Sequence, residues 1–493
     1  MAAIPHPACG VLHVTSFPGG GVDRHIRDIA RHVPRRHLVW HVADAAEVIE
    51  IPAERRHYVL DPAATRERLA GWLRGQGVGI VHAHSVATGP RERAAWAAAS
   101  LSLPLLATLH DVLFLRADGL VPGAPCEPEA KWLAQTADFL ASAAARIAPS
   151  DYLAGLARRH LPGQPVQVIA NGSAGRVNQV ASREARAEFR ERRASQVALV
   201  LGSIGPHKGA RVIEEAAQRL AGSGSGIAIV IVGYLDAQVD PGWRGGNLFI
   251  HGAYDDEEVA ALARAYGASL ALFPNQAPES FSYALSDVWE AGLPALVPPE
   301  GALGERVRRH GGGWLLPSGF GAREVAAALR EKLGSEAELA RVKSQLMAPD
   351  ADRVPDLSHM TRSLDALYER FGLPAGGDID PASAPAQELL ARNLDGGLFR
   401  QELARVADEL AQLRAGLAQE RAAAARFGAE AREWIAKLEA DVAQVQSQLA
   451  EEVAQRRRLG EENAKLEVHK AALDLLPRVI RSHLLKRILN ARG

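Results

Sequence analysis

Cysteine is nearly absent: the 493-residue chain has two, Cys9 and Cys126. That excludes a disulfide scaffold and a cysteine-rich zinc site, and it fits a reducing compartment. An excess of one charge is also missing. Lys and Arg number 57 against 58 Asp and Glu, a net charge of −1, which leaves no general nucleic-acid footprint. No apolar run reaches the roughly 18 uncharged residues a membrane span needs. The opening stretch MAAIPHPACGVLHV lacks a basic segment followed by a long apolar one, so no signal peptide is expected. No DxD-type pair of carboxylates stands out as a metal site. The first glycine turn is not GxGxxG, and no acid on a second strand completes a dinucleotide fingerprint. The chain therefore reads as cytoplasmic, free or peripheral on the inner face of a membrane, with no metal and no cofactor. What is present is ordinary globular composition, 47% hydrophobic and 23% charged, with length for about three domain-sized units.

Short apolar runs alternate with helical patterns as far as Phe371. Val11–Thr15, Gly79–Ala83, Leu105–Thr108, Arg146–Pro149 and Val166–Ile169 read as strands, with a helix from about Val22 to His32. A second cycle begins near Gln196, with strands at Val197–Leu201, Gly226–Val232, Leu248–Ile250, Ser269–Phe273 and Leu293–Val297 and a helix over Ala210–Leu220. Strands alternating with helices imply parallel sheets covered on both faces. The fold class is thus α/β: two Rossmann-like, doubly wound domains facing a cleft, residues 1–182 and 183–372. The charged stretch Arg183–Arg193 connects them, and a helix over Leu364–Phe371 closes the second. Ligands in such sheets bind at strand C-termini.

Beyond Phe371 the chain changes character. A Pro/Gly/Ala linker occupies 373–395. Residues 396–470 read as a coiled coil: Leu403, Val406, Leu410, Leu413 and Leu417 are spaced 3-4-3-4, and Leu438, Val442, Val445 and Leu449 repeat the seam after a stutter. A lone helix with one apolar stripe calls for self-association or a helical partner. The tail, 471–493, is basic and apolar. Leu475–Gly493 has five Arg or Lys and no acid, which suits either a membrane surface or a protein partner.

The stretch Phe273–Pro294, FPNQAPESFSYALSDVWEAGLP, carries the chemistry. Pro274 leaves a strand, Glu279 stands at the mouth of a helix beside Ser280 and Ser282, and Gly292-Leu293-Pro294 ends that helix. A carboxylate beside free helix amides suits a ligand bearing both hydroxyls and phosphates. The stretch resembles the Glu-x7-Glu segment of retaining nucleotide-sugar glycosyltransferases, in particular family 4 with the GT-B fold. The resemblance implies that Glu279 holds sugar hydroxyls, and that Ser280, Phe281 and Ser282 touch the nucleotide and diphosphate. Asp287 falls at the second acidic position, and Ser282 stands where a glycine is usual.

A second motif is Gly202-Ser203-Ile204-Gly205-Pro206-His207-Lys208-Gly209. It resembles the family's Gly-Arg pair followed by Lys-Gly, with Lys208 on the lysine and Ser203 where the arginine is usual. An ammonium and helix amides converging on a diphosphate can stabilise its departure without a metal. Gly19-Gly20-Gly21 opens the first helix. It resembles the family's first loop, placing Gly20 and Gly21 at the donor, and also reads as a plain strand–helix turn. His110 follows the strand LLATL, and the resemblance puts it near the donor sugar. His82 and His84 also end a strand but have no third ligand to make a zinc set. Ser150 reads as a helix cap, and Asn171-Gly172 as a turn. The implied catalytic residues are His110, Lys208 and Glu279. The implied partners are a nucleotide-sugar donor and a glycan or lipid-linked acceptor, in bacterial surface-polysaccharide assembly such as O-antigen or capsule. The rival is a GT-B-like scaffold that has lost activity and works through its coiled coil. Ser203 and Asp287 favour that rival; Glu279, Lys208 and His110 oppose it.

Overall fold

The computed structural model describes residues 9–16, 19–42, 47–60, 66–117, 128–175, 183–192, 194–235, 240–348, 353–373 and 390–393. The coiled coil, the basic tail, most of the linker and Cys126 lie outside them. Among the described residues no helix is long and apolar enough to cross a membrane.

The first sheet has nine strands. Their spatial order is Leu390–Asn393, Arg56–Leu60, Glu47–Ile51, His37–Val42, Gly10–Thr15, Val78–Ala83, Leu105–Thr108, Ala145–Ala148 and Gln167–Val168. From His37–Val42 to Gln167–Val168 every pairing is parallel. Toward the other edge the pairings are antiparallel. That edge is not evident in the sequence, because charged and imidazole side chains break its apolar runs. The second sheet runs Gly242–Arg244, Leu248–Gly252, Ile227–Leu235, Gln196–Ile204, Ala268–Leu272, Ala295–Val297 and Gly313–Leu315. Only its first pairing is antiparallel.

Side chains alternate faces along a strand, and the cores follow that period. Leu12, Val14 and Val81 pack on one face of the first sheet, and Val11 and Ile80 on the other. In the second sheet Ala198, Val200, Ile229 and Ile231 pack on one face, and Val197, Leu199, Ala228 and Val230 on the other.

One segment sits differently from the sequence reading. The closing helix, Leu357–Phe371, packs on the first sheet, not the second. Leu357, Met360, Leu364, Leu367 and Tyr368 are buried with Val11, Ile80, Leu106 and Ile147. Asn171-Gly172 is where it docks. A Cβ on Gly172 would stand 2.3 Å from Leu357 Cα, so the glycine serves close approach and not a turn requiring positive φ. The connector holds a short helix, Ala187–Glu191, whose buried Phe189 stacks on Trp243 at 5.4 Å.

Candidate active site

Both second-half motifs lie at strand C-termini and are tied together by backbone. Gly202 and Ser203 are near the end of the strand Gln196–Ile204; a short 3-10 turn, Pro206–Lys208, follows, and then the helix Ala210–Gly222. Lys208 thus precedes the helix by one residue, Gly209. A Cβ on Gly209 would fall 2.2 Å from the Pro274 carbonyl oxygen, so only glycine lets the two loops approach. His207 O accepts hydrogen bonds from Gln276 N at 2.9 Å and Ala277 N at 3.1 Å. Glu279 is partly exposed, and Asn275 Nδ2 donates to its Oε1 at 2.9 Å. The His207 imidazole has its pKa lowered by burial and by the Lys208 charge, while Glu279 pulls it back up. Lys208 and Glu279 are therefore brought together around His207. First-turn amides of a helix lack intrahelical acceptors, so the start of Ala210–Gly222 adds to a positive pole.

Ser280 meets the first half across the cleft. Ser280 Oγ donates to the His110 carbonyl oxygen, and Ser280 O accepts from Ser150 Oγ at 2.6 Å. Ser150 is also the expected cap, accepting from Leu153 N. Gly21 lies beneath the Tyr283 ring: a Cβ there would meet it at 3.4 Å. Ser282 has φ 71° and caps the helix Tyr283–Glu290 by accepting from Leu285 N. Positive φ is costly for an L side chain, which gives the family's glycine at this position a physical reason. Phe281 departs from the expected nucleotide contact. Its ring is 3% exposed and lies under the Arg306 guanidinium at 4.5 Å, so it serves the core.

Asp287 also departs from the expected role. Its carboxylate is buried and accepts from both terminal guanidinium nitrogens of Arg24, at 2.9 and 3.0 Å. Arg24 rests on the Tyr283 ring at 4.4 Å and lies 3.4 Å from Asp256. Burial pushes the Asp287 carboxyl up to about 6, against the pull of Arg24. A bidentate guanidinium–carboxylate pair is strong and directional, and this one clasps the first helix to the second half.

Beneath His110 lies a cluster of imidazoles that sequence reading resolved only in part. His110 Nε2 is 3.1 Å from His84 Nδ1, His84 Nε2 is 2.9 Å from His13 Nδ1, and His13 Nε2 is 2.9 Å from His37 Nδ1. His37 Nε2 reaches the Val33 carbonyl at 3.1 Å. A carbonyl only accepts, so His37 Nε2 carries a proton and its Nδ1 is a bare acceptor. The same logic gives each imidazole in turn an Nε2 proton, as far as His110. Burial holds His13, His84 and His110 neutral, with pKa values well below the usual histidine range. His82 is separately satisfied, by Tyr368 Oη and Thr108 Oγ1, each at 2.7 Å. The period-two pair His82 and His84, and His13 between apolar neighbours, was the available signal. The helical His25 and the interrupted strand at His37 gave none.

Comparison with known proteins agrees with this geometry. Residues 19–173 match the family described as Glycosyltransferase Family 4, and residues 181–345 match Glycosyl transferases group 1. Among solved structures, Anabaena HepE in complex with UDP and glucose is 17% identical. The match covers 73% of this chain and 100% of that one, with a TM-score of 0.55. Sucrose-phosphate synthase from Thermosynechococcus elongatus is 16% identical over 73% of this chain and 98% of that one, with a TM-score of 0.53. No curated protein matches by sequence. Two sheets facing a cleft, a final helix returning to the first of them, and family matches over both halves lead to one conclusion: the chain belongs to family 4 of the glycosyltransferases and has the GT-B fold.

Proposed function

We propose that the protein transfers a sugar, with retention of anomeric configuration, from a nucleoside-diphosphate sugar to an acceptor hydroxyl. The second half takes the donor, and the first half presents a glycan or lipid-linked acceptor during assembly of a bacterial surface polysaccharide. The observation that carries this reading is the union of the Lys208 and Glu279 loops at the start of Ala210–Gly222, through the His207 carbonyl. A cation and helix amides there meet the diphosphate, and a carboxylate meets the sugar hydroxyls. The bond from the anomeric carbon to the diphosphate oxygen breaks, its electron pair leaving with the diphosphate. The acceptor oxygen attacks the same face, and its proton passes to a diphosphate oxygen. Charge at the leaving group is met by Lys208 and the helix amides, so no metal is needed at that end of the cleft. His110 lies on the first-half side of the donor sugar. The basic tail would hold the enzyme at the membrane surface where a lipid-linked acceptor resides.

The test is a transfer screen of the purified chain against UDP-, GDP-, dTDP- and ADP-sugars, with Glu279→Ala beside it. UDP-glucose comes first, because solved relatives of this fold hold UDP and UDP-glucose. Consumption of one donor by the wild type only, with a product of unchanged anomeric configuration by NMR, supports the reading. The rival scaffold reading draws on Ser203 in place of arginine and on Asp287 being held by Arg24. Absence of donor binding across the panel would favour it.

A further inference from the structure

We propose that His25, His84 and His110 form a three-imidazole site for a divalent transition metal, zinc foremost, in the first-half wall of the cleft. Three histidines with a further position to fill are a well-attested zinc ligand set.

The first ground is His25. It is 1% exposed, and among the described residues neither ring nitrogen has a hydrogen bond of good geometry. The Asn171 carboxamide bears on it through a poorly aligned side-chain hydrogen bond that pulls its pKa up against burial. Burying a polar group without a partner is costly, and the Asn171 oxygen can serve only one ring nitrogen, so the other needs an explanation. Its ring stands edge-on to the rings of both other ligands, at centroid distances of 4.9 Å from His110 and 5.6 Å from His84.

The second ground is the tautomer chain. The Val33 carbonyl, acting through His37 and His13, forces the proton of His84 onto Nε2. His84 Nδ1 is therefore a lone pair aimed at His110. Metal-binding histidines characteristically donate their second ring nitrogen to such an outer partner, which fixes the ligating one. Here the outer partners are His13 and His37. Metal binding needs only that His110 carry its proton on Nδ1 and turn its Nε2 lone pair inward, so no net proton is released.

The third ground is dimension. Zinc–nitrogen bonds of about 2.0–2.1 Å in a tetrahedron put ligand nitrogens about 3.3 Å apart and imidazole centroids about 5.2 Å apart. His84 Nδ1 and His110 Nε2 are 3.1 Å apart, and the three centroid distances are 4.9, 5.3 and 5.6 Å. All three ligand nitrogens lie within 4.8 Å of one another, so a small rotation of His25 completes the site. The neighbouring trio His13, His82 and His84 is the poorer choice. Both nitrogens of His82 and both of His13 are already engaged.

Such a metal would join three separate elements of the cleft wall. His25 is on the helix that carries Gly20, Gly21 and Arg24. His84 and His110 follow two adjacent strands, and the His110 carbonyl receives Ser280 from the other half. The ion would set the position of His110 without touching the diphosphate end of the cleft.

The test uses the full chain with any affinity tag removed, since histidine tags bind the same ions. Metal content is measured after growth with zinc and exhaustive dialysis. Cobalt(II) is titrated into chelator-treated protein while its visible d–d absorption is recorded, because tetrahedral cobalt absorbs far more strongly than octahedral. We expect about one equivalent of zinc, an intense cobalt band that saturates at one equivalent, and a melting temperature raised by zinc. His25→Phe, which keeps a ring of similar bulk but removes the ligand nitrogens, loses all three responses. X-ray absorption on the wild-type zinc protein guards against a misfolded variant: its zinc shell must be imidazole nitrogen. A wild type that takes up no stoichiometric metal, a His25→Phe variant that binds like the wild type, or a zinc shell without imidazoles would each overturn the proposal. None of these readouts depends on transferase activity.

Discussion

Replacing Arg24 by methionine tests whether the clasp between the two halves has been understood. The variant keeps much of the bulk of the side chain and removes the charge with its N–H donors. Asp287 would then be a buried carboxylate without its bidentate partner. Its pKa is already lifted from 3.8 to about 6 by burial, a displacement of about 3 kcal/mol. Breaking a buried pair from one side costs about 3–5 kcal/mol, because the remaining charge is uncompensated. We therefore expect Arg24→Met to lose about 3 kcal/mol at pH 7.5 in urea unfolding followed by tryptophan fluorescence. Asp287→Asn should lose less, about 1 kcal/mol, because Arg24 keeps Asp256 at 3.4 Å and the Tyr283 ring at 4.4 Å. The pH dependence has a definite sign. A carboxyl with a raised folded-state pKa favours the folded state at low pH, and that contribution is lost as pH rises through the folded value. Below about 6 the wild-type Asp287 is also protonated and the ion pair is gone. The loss in Arg24→Met should then shrink to about 1 kcal/mol or less at pH 5. A loss under about 0.5 kcal/mol at pH 7.5, or one that grows on acidification, would refute the reasoning.

Glu279→Ala should lower kcat/KM for transfer by at least about 100-fold while leaving the unfolding midpoint nearly unchanged, since among the described residues its carboxylate has only the Asn275 hydrogen bond to lose; steady-state kinetics and a melting curve on one preparation check both. Ser203→Arg restores a guanidinium at an exposed position near the strand end, and should raise kcat/KM by about tenfold, the worth of one charge-assisted hydrogen bond to the diphosphate. Ser282→Gly should stabilise the protein by about 0.5–1 kcal/mol, because relief of φ 71° outweighs the lost cap; a lower urea midpoint would count against it. Tyr368→Phe leaves buried His82 Nδ1 without its 2.7 Å partner and should cost about 1–3 kcal/mol, read as earlier unfolding of the full chain.

Much of this architecture was legible in the sequence because it is local. The parallel core strands appear as short apolar runs, and the helices at Gly20–His32 and Ala210–Gly222 as amphipathic stretches behind glycine turns. The Lys208 and Glu279 loops could be singled out because chemistry and punctuation coincide within a few residues. The strands Glu47–Ile51 and Arg56–Leu60, on the antiparallel side of the first sheet, escaped notice because charged and imidazole side chains break their apolar runs. The destination of Leu357–Phe371 was also hidden. Its apolar stripe says that it packs, but not on which sheet, and only the fit of Gly172 against Leu357 settles that.

The sequence by itself determined the α/β class, the two halves and the two loops proposed to meet the donor, since periodicity and glycine placement act over a few residues. The tertiary structure alone decided which distant groups meet. Asp287 lies inside the helix Tyr283–Glu290, where the family resemblance implies a ligand role, yet Arg24, far away in sequence, takes both its oxygens. His25, His84 and His110 lie on a helix and two strand ends with nothing in their spacing to connect them, and they converge because one helix covers one face of one sheet. Pairings of that kind depend on how elements stack, and no local pattern encodes the stacking.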